Sequence, residues 1–106
     1  MAFTLKQNDT SPSIQATLKD ASGSAVDISG ATVKFHMKSI DGTLKIDEAA
    51  TVVNASGGVV KYDWTSADTD VVGTYYAEFQ VSYADLTVET FPNSGNIVIQ
   101  IKPELN

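Results

Sequence analysis

Gly73-Thr74-Tyr75-Tyr76-Ala77-Glu78-Phe79-Gln80-Val81-Ser82-Tyr83 is the stretch that decides the fold. Tyr75, Ala77, Phe79, Val81 and Tyr83 alternate with Tyr76, Glu78, Gln80 and Ser82. Successive side chains of a strand point to opposite faces, so this spacing predicts one long strand over 74–83 with a dry face and a wet face. A helix would scatter the same residues around its circumference.

The same period of two recurs on both sides. Ile14, Ala16 and Leu18 keep it, as do Val33, Phe35 and Met37, then Val60, Tyr62 and Trp64, and finally Ile97, Ile99 and Ile101. Their shared parity nominates a core of Ile14, Leu18, Val33, Phe35, Met37, Tyr62, Trp64, Phe79, Val81, Ile97 and Ile99. No window holds a 3.6-residue period, so almost no helix is expected. Further strands are expected at 2–6, 32–39, 43–47, 49–54, 59–64, 86–91 and 96–102. Breakers fall between them: Asp9-Thr10-Ser11-Pro12, Asp20-Ala21-Ser22-Gly23-Ser24, Asp27-Ile28-Ser29-Gly30, Ser56-Gly57-Gly58 and Phe91-Pro92-Asn93-Ser94-Gly95. Asp41-Gly42 reads as the two central residues of a type I′ hairpin. Seven to nine short strands, with a turn every 8–12 residues, give an all-β, antiparallel β-sandwich in a single domain, 1–106. A small closed barrel shares the period. The terminal segments 2–6 and 96–102 are expected at sheet edges, with Lys6, Lys45 and Lys102 guarding against stray pairing.

The approach to the long strand is informative in itself. Asp68-Thr69-Asp70-Val71-Val72-Gly73-Thr74-Tyr75-Tyr76-Ala77 resembles the entry to strand F of immunoglobulin-like domains. There a tyrosine two residues ahead of a core position bonds back to main chain and fixes the corner. Tyr75 takes that part, with Gly73 at the turn and Ala77 at the core position. Asp70 stands three residues before Gly73 instead of two, and Trp64 lies on the strand before the corner, with Phe35 where the fold usually keeps its tryptophan.

Composition narrows the chemistry. The 106 residues include 7 Lys plus Arg against 13 Asp plus Glu, a net charge of −6, with 1 histidine and no cysteine. Zero cysteines exclude disulfides, thiolate zinc sites and a cysteine nucleophile. One histidine excludes mechanisms that need two imidazoles. Seven cations in an acidic chain argue against nucleic acid as a partner. No apolar run reaches the length of a signal peptide or of a membrane span, so synthesis in a cytoplasm and no membrane partner are expected.

The remaining candidates read as structure. His36 has the parity of the wet face, between Lys34 and Lys38, with no orienting carboxylate nearby in sequence. Asp63, Asp68 and Asp70 are the densest acidic group, but the loop pattern of a calcium site is missing: no glycine stands at the sixth position and Phe79 occupies the twelfth. Gly57-Gly58 is followed by no helix that would present amides to a phosphate. No metal, cofactor or catalytic residue is therefore assigned. Among the aromatics, only Tyr76 and Phe91 are left free to meet a partner.

Taken together, several segments resemble one family. They are Asp9-Thr10-Ser11-Pro12-Ser13-Ile14-Gln15-Ala16-Thr17-Leu18, Asp27-Ile28-Ser29-Gly30-Ala31-Thr32-Val33-Lys34-Phe35-His36-Met37, and Gly58-Val59-Val60-Lys61-Tyr62-Asp63-Trp64. Asp68-Thr69-Asp70, Gly73-Thr74-Tyr75, Ala77-Glu78-Phe79 and Thr90-Phe91-Pro92 follow in order. Over about residues 8–102 the chain resembles the immunoglobulin-like N-terminal domain of tailed-phage baseplate upper proteins. The resemblance implies a non-catalytic structural protein of a bacteriophage virion, made in the host bacterial cytoplasm and docked on other virion proteins in several copies. The stalk that follows this domain in the family does not appear between Met1 and Asn106, so the expectation is a free-standing module of the baseplate, tail, neck or capsid surface. A carbohydrate-binding or adhesion module of sandwich type is the alternative.

Overall fold

A computed structural model describes residues 2–105; the expected domain limits, Met1 and Asn106, lie just outside them. Nine strands are described: β1 (Ala2–Lys6), β2 (Ile14–Thr17), β3 (Thr32–Ser39), β4 (Leu44–Ala49), β5 (Thr51–Asn54), β6 (Val59–Tyr62), β7 (Gly73–Ser82), β8 (Val88–Phe91) and β9 (Ile97–Lys102). No helix occurs among the described residues. The larger sheet runs β1-β9-β7-β3-β4, with β8 added to β7, and the smaller runs β2-β6-β5. The architecture is a β-sandwich.

The period-two pattern explains where the core sits. Val33, Phe35 and Met37 of β3, Tyr75, Ala77, Phe79 and Val81 of β7, and Ile97, Ile99 and Ile101 of β9 are all buried on the inner face of the larger sheet. Ile14, Val60 and Tyr62 meet them from the smaller sheet, with Leu18 and Trp64 just beyond its strands. Phe35 stacks on Tyr62 with ring centroids 4.6 Å apart and takes the edge of Trp64 at 5.6 Å. Offset and edge-on pairs of this kind add to the gain from burial. Phe35 thus occupies the centre that a tryptophan fills in other immunoglobulin-like domains.

Three expectations about connection are corrected. Segment 96–102 is not an edge: β9 lies between β1 and β7. It also pairs with β1 in parallel, Ala2 opposite Val98 and Lys6 opposite Lys102, so the sheet is mixed. The physical reason is that Ile97, Ile99 and Ile101 gain most from burial when strands flank them on both sides. The Asp41-Gly42 hairpin is not type I′, because Gly42 has a positive φ of 92° and Asp41 does not. Instead Ser39 N–H donates to Thr43 O, leaving three residues in the loop, and the Asp41 carboxylate accepts from Thr43 N–H at 3.0 Å. Lys45 lies on the outer strand β4, and its ammonium is 2.6 Å from Asp70.

Candidate docking surfaces

Three surface features could meet a partner. The first is on the outer face of the larger sheet. Register sets His36 opposite Asp47 on β4 and opposite Glu78 on β7. Its Nδ1 lies 3.0 Å from Glu78 Oε2 and its Nε2 lies 3.2 Å from Asp47 Oδ1. Lys34 Nζ reaches the same Asp47 oxygen at 2.8 Å. The Lys34 ammonium, and after it His36, hold the Asp47 carboxyl below the ordinary carboxylate range. No carboxylate adjoins His36 in sequence, as expected; the fold supplies two, from strands whose partner residues lie 11 and 42 positions away. Both ring nitrogens are occupied by carboxylates, so neither is aimed at a hydroxyl nucleophile.

Beside this cluster is a depression of about 490 Å³ lined by His36, Ile40, Leu44, Asp47, Tyr76 and Glu78 among others. Tyr76 is 42% exposed and lies there with the exposed Ile40 and Leu44. Tyr76 was singled out by its parity; Ile40 and Leu44 were not, because one sits in a hairpin loop and the other beside a bulge that breaks the alternation. Phe91 is not exposed beside Tyr76. It is only 3% exposed, because β8 sets it opposite Phe79 on the inner face. It is corrected to a core residue.

The second feature is a cleft of about 270 Å³ at the open side of the sandwich, where β2 faces the turn between β8 and β9. Leu18, Phe79, Phe91 and Ile97 form its floor, and Lys19 and Asn96 stand at its rim. The third is the tip of the β7–β8 hairpin, where Leu86 is 89% exposed.

The loop ahead of β7 is held firmly by contrast. Tyr75 hydroxyl donates to Val71 O at 2.7 Å, the corner geometry that the sequence predicts. Tyr62 hydroxyl donates to Asp68 Oδ2 at 2.7 Å, and Thr65 N–H reaches the same oxygen at 2.8 Å. Burial first, and then the adjacent Asp68, push the Tyr62 phenol well above its usual range; burial also raises Tyr75. Asp68 and Asp70 are thus committed to different partners, Tyr62 and Lys45. Buried Thr69 donates its hydroxyl to Asp9 O at 2.9 Å, tying the loop to the segment after β1.

The family model described as BppU N-terminal domain matches residues 2–102. Two solved structures are similar. The N-terminal domain of phage TP901-1 ORF48 superposes with a TM-score of 0.60 at 16% identity, covering 95% of this chain and 82% of that one. CopC from Methylosinus trichosporium OB3b does so with a TM-score of 0.57 at 14% identity, covering 97% and 85%. At such identities the two likenesses concern the fold alone. No curated protein matches the chain.

Proposed function

The chain belongs to the N-terminal domain family of phage baseplate upper proteins, and from that premise we propose that it is a non-catalytic docking module of a tailed-phage particle. Membership makes it a phage structural protein. The finer reading is that it attaches to other virion proteins, in several copies, at the baseplate, tail, neck or capsid surface.

The observation that carries this reading is the extent of the family match, residues 2–102, which takes in every described strand. The surface supports it. The depression beside Tyr76 joins exposed Ile40, Leu44 and Tyr76 to a rim of Asp47, Glu78 and His36, an apolar centre with a polar border of the kind protein interfaces use. The commitment of both His36 nitrogens to carboxylates fits a module without catalysis. A glycan-binding role draws on the same Tyr76, since an exposed ring beside carboxylates also suits a sugar face.

Purified particles of the phage that encodes the chain test the proposal. Quantitative mass spectrometry of gradient-banded virions is expected to find it at a fixed number of copies per particle, and Tyr76→Ala to lower that number. Absence from banded virions would sink the docking role. Glycan-array binding that Tyr76→Ala abolishes, with incorporation unchanged, would favour the sugar-binding reading.

A further inference from the structure

The β7–β8 hairpin closes through two backbone bonds, Tyr83 N–H to Thr87 O at 2.8 Å and Leu86 N–H to Tyr83 O at 3.0 Å. The same pair closes two other turns. Ser39 N–H reaches Thr43 O and Gly42 N–H reaches Ser39 O; Asp20 N–H reaches Ser24 O and Gly23 N–H reaches Asp20 O. In all three the last residue of the loop has a positive φ, 92° at Gly42, 87° at Gly23 and 72° at Leu86. Two of the three positions hold glycine. The third holds leucine, whose Cβ crowds the following carbonyl in this conformation.

The leucine gains nothing from its own fold in return. Its side chain is 89% exposed, and Val88, two residues on, is exposed as well. A residue unfavourable both in backbone conformation and in hydration points to a function outside the free molecule.

The molecule also carries a receptor for such a tip. The cleft beside β2 has a buried apolar floor of Leu18, Phe79, Phe91 and Ile97 under a polar rim. Charges match across the two surfaces: residues 82–91 contain Asp85 and Glu89 and no cation, whereas Lys19 lines the cleft and no carboxylate does. Tip and cleft stand at opposite ends of β8, and β8 has a strand neighbour, β7, on one side only.

We propose that Leu86 of one copy of this chain seats in the cleft between β2 and the β8–β9 turn of a second copy, with the reciprocal contact made at the same time. Two copies set antiparallel along β8 bring both tips to both clefts. The contact closes on itself as a two-fold pair, and Asp85 and Glu89 of each tip approach Lys19 of the partner copy. The pairing goes beyond placement in a particle and does not depend on it.

Analytical ultracentrifugation of the purified protein, up to about 1 mM to cover the weak end of specific association, tests it. The wild type is expected to reach a dimer and no larger species. Leu86→Gly removes two buried leucines per dimer and should weaken dimerisation by about a hundredfold or more, while melting no lower than wild type at a dilution where both are monomeric, because glycine relieves the backbone. Leu86→Asn, which also tolerates the conformation, should dimerise as poorly. Lys19→Glu should weaken the dimer at low salt. A wild type that stays monomeric, a Leu86→Gly protein that dimerises like wild type, or a Lys19→Glu protein that does so at low salt would each overturn the proposal. A lower melting point for Leu86→Gly at a dilution where wild type is monomeric would do so too, since the leucine would then serve its own fold. No particle enters the measurement, so its outcome is separate from that of the virion experiment.

Discussion

Two phenols with equal hydrogen-bond lengths separate a neutral acceptor from a charged one. Tyr75 donates to the carbonyl of Val71 and Tyr62 to the carboxylate of Asp68, both at 2.7 Å. A neutral bond contributes about 1 kcal/mol to stability and one to a charged group about 2. Tyr75→Phe should therefore lower the unfolding free energy by about 1 kcal/mol and Tyr62→Phe by about 2 kcal/mol, read from urea denaturation at neutral pH. The reverse order would mean that Asp68 is solvated well enough to do without the phenol. Gly58 poses a different constraint. Its φ is +67°, and a Cβ there would lie 2.5 Å from Val26 O and 3.0 Å from Leu18 O, both backbone atoms that cannot rotate aside. Gly58→Ala should destabilise by more than about 1 kcal/mol in the same assay, and a neutral result would mean that the 18–26 segment moves freely.

Strands were legible where one side chain in two had to be dry. The eleven core residues named from parity are all buried, and β3 runs from 32 to 39 as the alternation in Val33, Phe35 and Met37 predicts. What parity along one strand cannot carry is which strand comes next to it. That is why β9 looked like an edge, and why the carboxylates flanking His36 stayed hidden until β3 was set between β4 and β7. Phe91 was misplaced for a local reason: Pro92 follows it, and a residue before proline at a strand end reads as a loop when its opposite number, Phe79, is unknown. Turn chemistry was half legible. Glycine marked the loops, but the three-residue form depends on an aspartate carboxylate capping the amide two residues on, as Asp41 does for Thr43 and Asp85 for Thr87. Leu86 carries no sequence signal of its positive φ at all; only comparison with Gly42 in the folded chain reveals it.

Across the whole molecule these caps govern the response to acid. Hydroxyls of Ser22, Ser29, Ser39 and Thr87 hold the carboxyls of Asp20, Asp27, Asp41 and Asp85 below their ordinary value of 3.8, and Ser13 does the same for Asp63. Groups whose pKa is lower in the folded state stabilise it fully above the unfolded value and lose that contribution as pH falls through the folded one. The urea midpoint should be level from pH 7 down to about 5 and decline below about 4. A midpoint that rises on acidification would show that relief of the −6 net charge outweighs the caps. The parallel seating of β1 on β9 has a consequence for synthesis. Among the described strands Ala2–Lys6 are translated first, yet their partners Val98–Lys102 are translated last. Until then Phe3 and Leu5 have no sheet to join, so the larger sheet closes only after elongation has passed β9. Such a long-range closure is slow and favours a single late step over strand-by-strand maturation at the tunnel exit. Until that step a nascent chain would carry Phe3 and Leu5 unpaired, the stage at which stray association threatens it most.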